Sequence, residues 1–489
     1  MITKAQLRNY VQALEPENSI WIDGKGRKGS SGACFGVIDP ATASEIAQLA
    51  SGTSEDARAA VDAAARALPA WADTSPRDRS GILRRAFEKM LAKQDELAAI
   101  MSWENGKSYA DARAEIAYAA EFFRWYSEEA VRSQGEFTVA PSSPTRTIVT
   151  TRPVGVAALI TPWNFPTAMA TRKMGPALAA GCTVVLKPAS QTPISALAVM
   201  RILQEAGLPD GVANMVTSRN SAEISQAWLS DERVRALSFT GSTPVGRTLL
   251  GLAARRVVKT SMELGGNAPF IVGKTADVDQ AVEGAMVAKF RNSGQVCVAA
   301  NRFIVHEDVA PEFIEKFTQR VRQLRVGSAF AEGTEIGPLI NARAVQNLTQ
   351  LIDAALERGA RLVGSAHIPT GAGYYLAPQV IVVDSGDDPL LKEELFGPVA
   401  VICTYRGDAE MLQMVNNTEM GLAAYIFGDL QWALRNAEKI EAGMVGINRG
   451  AISDPAAPFG GVKQSGIGRE GGREGIAEFQ EIQYYSVAW

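Results

Sequence analysis

Few residues in this 489-residue sequence are suited to covalent chemistry. Its two histidines, His306 and His367, are too few to support Ser-His-Asp, Cys-His or histidine-metal chemistry. The four cysteines lie far apart and form no C-x-x-C pair, which argues against a zinc site or a disulfide scaffold. The sequence therefore predicts that any general base is a carboxylate, and it predicts no metal ion. The cysteines are Cys34, Cys182, Cys297 and Cys403.

Cys297 is the cysteine whose neighbours favour catalysis. It follows Ser-Gly-Gln, small and polar residues that let the backbone expose a side chain in a cleft. A thiolate is intrinsically nucleophilic, and its pKa of about 8.5 falls near positive dipoles. Cys182, in GCTVVL, is instead typical of a small buried hydrophobe. Glu263, between apolar flanks in MELGG, is the candidate base, because such flanks raise a carboxyl pKa; an ordinary surface carboxylate is the alternative.

The elements that must position these residues change in type near residue 153. Before it, after a short strand-rich start, SEDARAAVDAAARALPAW and RSGILRRAFEKMLAKQDELAAIM have amphipathic helical periods. After it, short apolar strands alternate with helices predicted near 168–180, 195–206 and 243–254, which indicates βαβ units. A second series begins at APFIVG and runs to GMVGIN. The pattern predicts two α/β domains with an active site between them.

Two extended segments lie outside this alternation. SQGEFTVAPSSPTRTIVTT predicts a hairpin that projects from the body, and the C-terminal FQEIQYYSVAW predicts a half-exposed strand. That strand could pair with the hairpin or with a neighbouring subunit. A homodimer or homotetramer is therefore expected.

The composition argues against other partners. The chain is 46% hydrophobic and 21% charged with a net charge of -4, so nothing favours nucleic acid or an anionic membrane. No segment approaches the roughly 20 apolar residues that span a bilayer, and the N-terminal segment has no secretory core. A cytoplasmic location is expected.

Two glycine patterns match the dinucleotide fingerprint G-x-G-x-x-G. One consists of Gly24, Gly26 and Gly29; the other consists of Gly466, Gly468 and Gly471. The fingerprint has meaning only between a strand and a helix of one βαβ unit. Neither context supplies that unit, so both are predicted to be turns.

Seven segments carry a resemblance to a known family. Their order and spacing along the chain resemble those of the aldehyde dehydrogenase superfamily. This resemblance extends from about residue 20 to the end of the sequence. KFRNSGQ and GGNAPFIV are similar in detail to the succinate-semialdehyde dehydrogenase subgroup. The segments are TPWNFP (161–166), LKPAS (186–190), FTGSTPVGR (239–247), MELGGNAPFIV (262–272), FRNSGQVCVAANR (290–302), EELFGPV (393–399) and PFGGVKQSGIGREGG (458–472).

The resemblance implies an α/β fold with two Rossmann-like open parallel-sheet domains and a small β oligomerisation arm. The implied ranges are 1–133 with 153–262 for the cofactor-binding domain, 263–452 for the catalytic domain, 134–152 with 476–489 for the arm, and 453–475 for a loop serving substrate and cofactor domains.

The resemblance also implies catalytic roles. Cys297 attacks the aldehyde, Glu263 activates the water that hydrolyses the thioester, and the Asn164 amide holds the oxyanion together with the Cys297 N–H. Losing one such donor typically costs about 2.7 to 4 kcal/mol in the transition state. Lys173 is expected to have a supporting role.

The cofactor is expected along the first α/β domain, with its pyrophosphate at the helix after FTGS. NADP is favoured over NAD, because Ser190 stands where many NAD-preferring relatives carry a repelling glutamate. Lys187, Ser190 and Arg219 could clamp the extra phosphate, although Arg219 might equally be a solvated loop charge. The residues expected at the cofactor are Ile160, Pro162, Trp163, Lys187, Ser190, Arg219, Gly241, Ser242, Leu264, Glu394 and Phe396.

Two arginines suggest an anionic substrate. Arg172 and Arg291 resemble the carboxylate clamp of succinate-semialdehyde dehydrogenases, assisted by Ser453, with Phe165 and Phe459 also expected at the substrate. As an alternative, both arginines pair with nearby carboxylates and only shape the wall.

Other functions stay open at this point. Arg449 departs from the smaller residue common in the subgroup, so glutarate or 2-oxoglutarate semialdehyde, or a general aldehyde, is possible. Ala299 replaces a second cysteine, so no disulfide switch is expected. A non-catalytic binding protein would lack Cys297, Glu263 or Asn164, and all three are present. Transfer of the acyl group to coenzyme A is disfavoured, because relatives that do this usually lack the glutamate.

Overall fold

The computed structural model describes residues 3–142 and 144–488. The predicted ranges that include positions 1–2, 143 and 489 extend beyond the described residues there. The helices are α1 (Lys4–Ala13), α2 (Ser54–Asp73), α3 (Pro76–Ala92), α4 (Gln94–Asn105), α5 (Tyr109–Glu129), α6 (Pro166–Ala180), α7 (Pro193–Glu205), α8 (Ser221–Ser230), α9 (Thr243–Ala254), α10 (Val278–Phe290), α11 (Ala310–Arg322), α12 (Ala342–Glu357), α13 (Asp408–Asn416), α14 (Leu430–Ala437) and α15 (Glu474–Ala477).

Strands fill the spaces between these helices. They are β1 (Ile20–Ile22), β2 (Lys25–Arg27), β3 (Cys34–Asp39), β4 (Ser44–Ala50), β5 (Glu136–Val139), β6 (Arg146–Pro153), β7 (Val156–Ile160), β8 (Thr183–Lys187), β9 (Ala213–Met215), β10 (Val234–Thr240), β11 (Lys259–Glu263), β12 (Ala268–Val272), β13 (Ala300–His306), β14 (Arg361–Ser365), β15 (Gln379–Val382), β16 (Val399–Tyr405), β17 (Met420–Gly421), β18 (Ala423–Phe427), β19 (Met444–Ile447), β20 (Val462–Lys463), β21 (Gly466–Ile467) and β22 (Gln480–Val487).

The first sheet has the order β2-β1-β9-β8-β7-β10-β11-β21. Its five central strands, from β9 to β11, are parallel, and β7 and β8 are buried along their whole length. Burial on both faces explains why these strands are continuous apolar runs in the sequence. The strand order changes direction between β7 and β10, and ligands of open α/β sheets bind at such a point.

The second sheet has the order β14-β15-β16-β13-β12-β18-β19. All of its strand pairs are parallel except β14 with β15. Phe270, Phe303, Phe313 and Phe427 pack in its core, with Phe270 and Phe427 ring centroids 4.8 Å apart. After this sheet the chain returns to the first one, where β21 pairs antiparallel with β11.

The helices of the first half agree with the sequence patterns. The segments predicted near 168–180, 195–206 and 243–254 are α6, α7 and α9. The long amphipathic segment RSGILRRAFEKMLAKQDELAAIM forms parts of two helices, which are separated at Lys93 where α3 ends.

Both glycine patterns lie in turns, as predicted. The first is part of the antiparallel β1–β2 hairpin, where Gly24 has a φ of +72°. The second contains the short antiparallel strand β21, and Gly468 there has a φ of +87°. Neither pattern opens a helix of a βαβ unit.

A separate three-stranded sheet forms the predicted arm. Strands β5 and β6 make the hairpin, and the C-terminal strand β22 pairs with β6 over its full length, from Gln480 opposite Pro153 to Val487 opposite Arg146. Phe137, Val139 and Ile482 are exposed on it. In the ranges that the structure describes, no helix has both the length and the apolar character needed to cross a bilayer.

Candidate active site

A cleft of about 200 Å³ opens at the carboxyl ends of β7 and β10, where the strand order changes direction. Ten of the predicted site residues line it, from both the cofactor and the catalytic groups. Met169, Thr240 and Gly265 line it as well and were not predicted. The ten are Pro162, Trp163, Asn164, Phe165, Gly241, Ser242, Leu264, Cys297, Glu394 and Phe396.

The strand register explains why residues far apart in sequence meet here. Ile160 pairs with Lys187 on one side and with Phe239 on the other, and Thr240 pairs with Glu263. Since parallel strands end at one edge of their sheet, the residues that follow these ends lie together.

The segment before Cys297 has an unusual backbone. Asn292, Ser293 and Gly294 all have positive φ, at +52°, +55° and +72°. Such conformations cost of order 1 kcal/mol or more for each non-glycine residue, so surrounding bonds must hold them. The Asn292 N–H donates to Asp111 Oδ2 over 2.9 Å, and the Ser293 hydroxyl donates to the Gly337 carbonyl over 3.0 Å. These contacts fix the direction in which the Cys297 loop leaves α10.

The Cys297 thiol is half-buried beside two cations. Burial raises its pKa to about 12, while Arg172 and Arg291 act in the opposite direction. The thiol is therefore protonated at neutral pH in the structure as it stands. Nucleophilic attack then requires that its proton be removed at the site.

Asn164 lies 5% exposed in the loop between β7 and α6. Its side-chain amide donates to the Gln295 carbonyl over 3.0 Å, which joins it to the Cys297 loop. The same amide nitrogen carries a second hydrogen. Both Asn164 and Cys297 line the cleft, so this hydrogen is available to an oxygen bound beside the thiol.

Glu263 ends β11 and is 2% exposed. Neither of its carboxylate oxygens has a hydrogen-bond partner among the described residues. Burial raises its pKa well above the ordinary value, and Glu470 adds to the rise against Arg172 and Lys173. An unpartnered buried carboxylate with a raised pKa is suited to accepting a proton.

Glu470 has the opposite surroundings. It forms ion pairs with Arg172, at 2.6 Å from Nε to Oε2, and with Lys173, and it accepts from the Ser238 hydroxyl over 3.1 Å. Although burial alone raises its pKa, Lys173 and Arg172 hold that pKa below the ordinary value. Glu470 was not predicted; the signal for it is the adjacent Arg172 and Lys173 in an apolar helix, because two buried cations require a carboxylate.

The predicted cofactor residues fall into two groups. Gly241, Ser242, Leu264, Glu394 and Phe396 are in the cleft, and Trp163 packs edge-on to Phe396 with ring centroids 5.5 Å apart. Lys187 is buried at the end of β8, where its ammonium donates to the Pro188 carbonyl over 3.0 Å. Burial lowers the Lys187 pKa to about 8, because the charged ammonium is poorly solvated there. An anionic or hydroxyl-rich ligand would stabilise that charge.

Ser190 and Arg219 lie outside the cleft lining. Ser190 is half-buried and its hydroxyl lies 3.4 Å from the Gln191 amide oxygen. Arg219 is exposed, donates to the Gly36 carbonyl over 3.2 Å and stacks near the Phe35 ring. No described contact joins Arg219 to Ser190, so the predicted clamp is not assembled in this structure.

These residues fit a nicotinamide dinucleotide. Ser242 begins α9 without capping it through its side chain, as far as the described residues show, so the helix N-terminus is available for a phosphate. A Cβ added to Gly265 would lie 3.0 Å from Glu394 Oε2, and one added to Gly241 would lie 2.5 Å from the Phe239 ring. The absence of a side chain at Gly265 therefore keeps the cleft open next to the Glu394 carboxylate, a group suited to binding ribose hydroxyls.

The predicted substrate residues have different partners. Arg172 is 1% exposed, forms an ion pair with Glu470 and lies 4.1 Å from the ring centroid of Phe459. This ion pair corresponds to the alternative that the sequence left open, in which the arginine pairs with a carboxylate of the protein. Arg291 is half-buried, 5.4 Å from the Phe165 ring centroid, and has no ion-pair partner in the described ranges. It also lines a small cavity together with residues 450–452, which precede half-buried Ser453.

Comparison with known proteins agrees with the fold. The sequence model of the aldehyde dehydrogenase family matches residues 27–485. The chain belongs to this family, and it is an NAD(P)-dependent oxidoreductase. The predicted fold class and the predicted family are both confirmed.

Individual relatives show where in the family the chain lies. It is 50% identical to a succinate-semialdehyde dehydrogenase of Paenarthrobacter nicotinovorans, over 91% of this chain and 99% of that protein. It is 45% identical to a glutarate-semialdehyde dehydrogenase of Pseudomonas putida, over 96% of this chain and 97% of that protein. The crystal structure of an Escherichia coli NADP-dependent enzyme superposes with a TM-score of 0.95 at 45% identity, covering 96% of this chain and 98% of that one.

Proposed function

We propose that this protein oxidises succinate semialdehyde to succinate with NADP, through a thiohemiacetal and a thioester on Cys297. The observation that carries the substrate class is Arg291, a half-buried cation whose charge has no carboxylate partner among the described residues. A half-buried guanidinium without an anion is only partly solvated, and a substrate carboxylate would neutralise its charge. The names of the similar proteins support the same class.

In the first step the Cys297 thiol gives its proton to solvent water, its sulfur attacks the aldehyde carbon, and the carbonyl oxygen becomes negative. The Asn164 amide and the Cys297 N–H would hold this oxygen. Arg172 and Arg291 favour the thiolate electrostatically, which reduces the cost of removing the proton from a thiol whose pKa burial has raised.

When bound, the nicotinamide ring supplies the hydride acceptor, which turns the thiohemiacetal into a thioester. Leu264, Trp163 and Phe396 would orient the cofactor and exclude water from the reacting carbon. Glu394 would hold its ribose, and the N-terminus of α9, with Gly241 and Ser242, would hold its phosphates.

Glu263 completes the turnover by taking a proton from the water that attacks the thioester carbon. The C–S bond then breaks, and the acid product leaves with the Cys297 sulfur regenerated. Because no hydrogen bond holds the Glu263 carboxylate among the described residues, little has to be broken before it accepts the proton.

The cofactor preference rests on position 190. A serine there leaves the region beside Lys187 without the repulsion that a glutamate would exert on a 2′-phosphate. Arg219 reaches that phosphate only by leaving its contact with the Gly36 carbonyl, an exposed hydrogen bond that costs little to break.

A second substrate, glutarate semialdehyde, is favoured by one further observation. Exposed Arg449 directly precedes residues 450–452, which line the same small cavity as Arg291, so a longer dicarboxylate chain would bring its carboxylate toward a second cation. 2-Oxoglutarate semialdehyde belongs to the same class.

The test compares NADPH and NADH production from succinate semialdehyde, glutarate semialdehyde and hexanal. Cys297→Ala should abolish turnover of all three. Arg291→Gln should raise KM for the two semialdehydes by about 10- to 100-fold, the effect of losing one charge-assisted contact, and leave KM for hexanal unchanged. Its effect on the Cys297 thiolate should lower kcat for all three aldehydes alike. Arg84→Gln, at an exposed helix position, is the matched control. A wild type that prefers hexanal, or is indifferent to Arg291→Gln, would contradict the semialdehyde proposal.

We also propose that the arm sheet of β5, β6 and β22 joins subunits into a homodimer or homotetramer. Exposed Phe137, Val139, Ile482 and Tyr484 support this, because such side chains in one small sheet favour a partner surface. Sedimentation of the wild type and of Ile482→Glu tests it, and a monomeric wild type would contradict it.

A further inference from the structure

The connection between α4 and α5 is polar and yet buried. Glu104, Asn105, Lys107 and Ser108 are all at most 3% exposed. Buried polar side chains must find partners, so this segment, written ENGKS in the sequence, has to bond to something specific.

Two of its partners are backbone groups of the loop that carries the oxyanion donor. The Asn105 amide donates to the Trp163 carbonyl over 2.9 Å, and the Lys107 ammonium donates to the Asn164 carbonyl over 2.7 Å. Lys107 also lies 4.3 Å from the Phe165 ring centroid. The loop is therefore held at consecutive residues from one side.

Glu115, on α5, connects this contact to the start of α6. It forms an ion pair with Lys107, and both side chains are fully buried. Its other oxygen accepts from the N–H groups of Thr167 and Ala168, each over 3.1 Å. One carboxylate thus fixes the Lys107 ammonium and the first turn of the helix that follows Asn164.

The Asn164 carbonyl has a second donor from the nucleophile side. The Asn292 side-chain amide donates to it over 3.0 Å. Both lone pairs of this carbonyl are in use, and its peptide group is the meeting point of the α4–α5 connection and the Cys297 loop. The orientation of the Asn164 side chain depends on the orientation of this peptide group.

We propose that Lys107, held by Glu115, is a positioning residue that sets the Asn164 amide at the oxyanion. The inference rests on the proposed oxyanion role of Asn164. A fully buried ion pair adds little stability compared with apolar residues of similar volume, so its value here is geometric. A donor that is misplaced by about 1 Å can cost up to about 100-fold in rate.

The experiment is a double-mutant cycle on the full-length enzyme between Lys107→Met and Asn164→Ala, read as kcat, KM and cofactor affinity. Lys107→Met should lower kcat by about 10-fold or more with little change in KM or cofactor affinity. In the Asn164→Ala background the same change should cost less than about twofold, because the group through which it acts is gone. Lys107→Arg should restore part of kcat.

A matched control separates positioning from general damage. Arg79 is another buried cation, and it donates to the Ala179 carbonyl at the opposite end of α6, over 3.1 Å. Arg79→Met should lower the melting temperature and leave kcat unchanged. If Lys107→Met does not fold, Glu115→Gln enters the same cycle in its place.

Equal losses from Lys107→Met in both backgrounds would overturn the inference and leave the proposed function intact. If Asn164→Ala alone left kcat unchanged, the oxyanion role itself would fail, and the positioning role with it.

Discussion

The end of β11 and the C-terminal loop each bring a glutamate into the same buried layer, but the surroundings of the two differ. Glu263 has no hydrogen-bond partner among the described residues, and burial raises its pKa. Glu470 is bonded by Arg172, Lys173 and Ser238, and its pKa is lowered. One carboxylate is free to exchange a proton, while the other serves as a fixed counter-ion. Burial alone therefore does not identify a base; the absence of partners does.

Removing the free carboxylate should have the largest effect. Glu263→Gln should lower steady-state kcat by about 10² to 10⁴-fold, the usual contribution of a general base. If the base acts after hydride transfer, a rapid burst of reduced cofactor equal to the enzyme concentration should persist. Stopped-flow absorbance measures both phases, and loss of the burst would place Glu263 at the earlier step instead.

Removing the fixed counter-ion should mainly cost stability. Glu470→Gln leaves Arg172 and Lys173 buried without an anion, which should lower the free energy of unfolding by about 3 to 5 kcal/mol. Denaturant unfolding of the variant and of Glu263→Gln makes the comparison. Equal destabilisation by both substitutions would break the distinction between the two carboxylates.

The space around Glu263 can be tested without changing its charge. A Cβ at Gly460 would lie 2.8 Å from Glu263 Oε1, and equally close to Arg469 Cδ and the Gly468 carbonyl oxygen. Gly460→Ala should displace the Glu263 carboxylate and reduce kcat by roughly 10-fold, since small misplacements of catalytic groups are costly. Steady-state kinetics measure this effect, and an unchanged melting temperature would separate it from a general shift of the loop that carries Gly468 and Arg469.

The pH dependence of the free energy of unfolding should show the smallest effect, but the two glutamates should contribute to it with opposite signs. The pKa of Glu263 is higher in the folded state than in the unfolded state, where it is about 4.3. The folded state is therefore destabilised relative to the unfolded state as pH rises from about 4.3 through the raised pKa. Glu263→Gln should therefore be more stable than wild type at pH 8, and the gain should vanish in acid. The lowered pKa of Glu470 gives the reverse: its stabilisation is present above about 4.3 and is lost as pH falls through the lowered value. Melting temperatures from pH 8 down to about pH 2 measure both.

Local patterns predicted much of this molecule. The buried strands β7 and β8, helices α6, α7 and α9, and the β5–β6 hairpin all follow from residue periodicity, because their burial is a property of each segment. The seven family segments predicted ten residues of the cleft.

What the sequence could not supply depends on contacts between distant segments. Arg172 was predicted at the substrate. The adjacent cations Arg172 and Lys173 indicate that a carboxylate is needed, but they do not indicate which one, because Glu470 is 298 positions from Arg172. The positive φ values of Asn292 and Ser293 and the buried bonds of Lys107 are likewise fixed by packing of separate elements. These interactions appear only when the elements are placed in space.

The late position of Glu470 in the chain has a consequence for biosynthesis. Arg172 and Lys173 leave the ribosome nearly 300 residues before their counter-ion, an interval of about 15 to 60 seconds at ordinary elongation rates of 5 to 20 residues per second. During that time α6 contains two cations that cannot be buried without an anion. We expect the contact of α6 with Glu470 to form only after the segment that carries Glu470 has been synthesised. A chain that ends after the second sheet would lack this counter-ion, so we expect its first domain to be less stable than that of a chain containing Glu470.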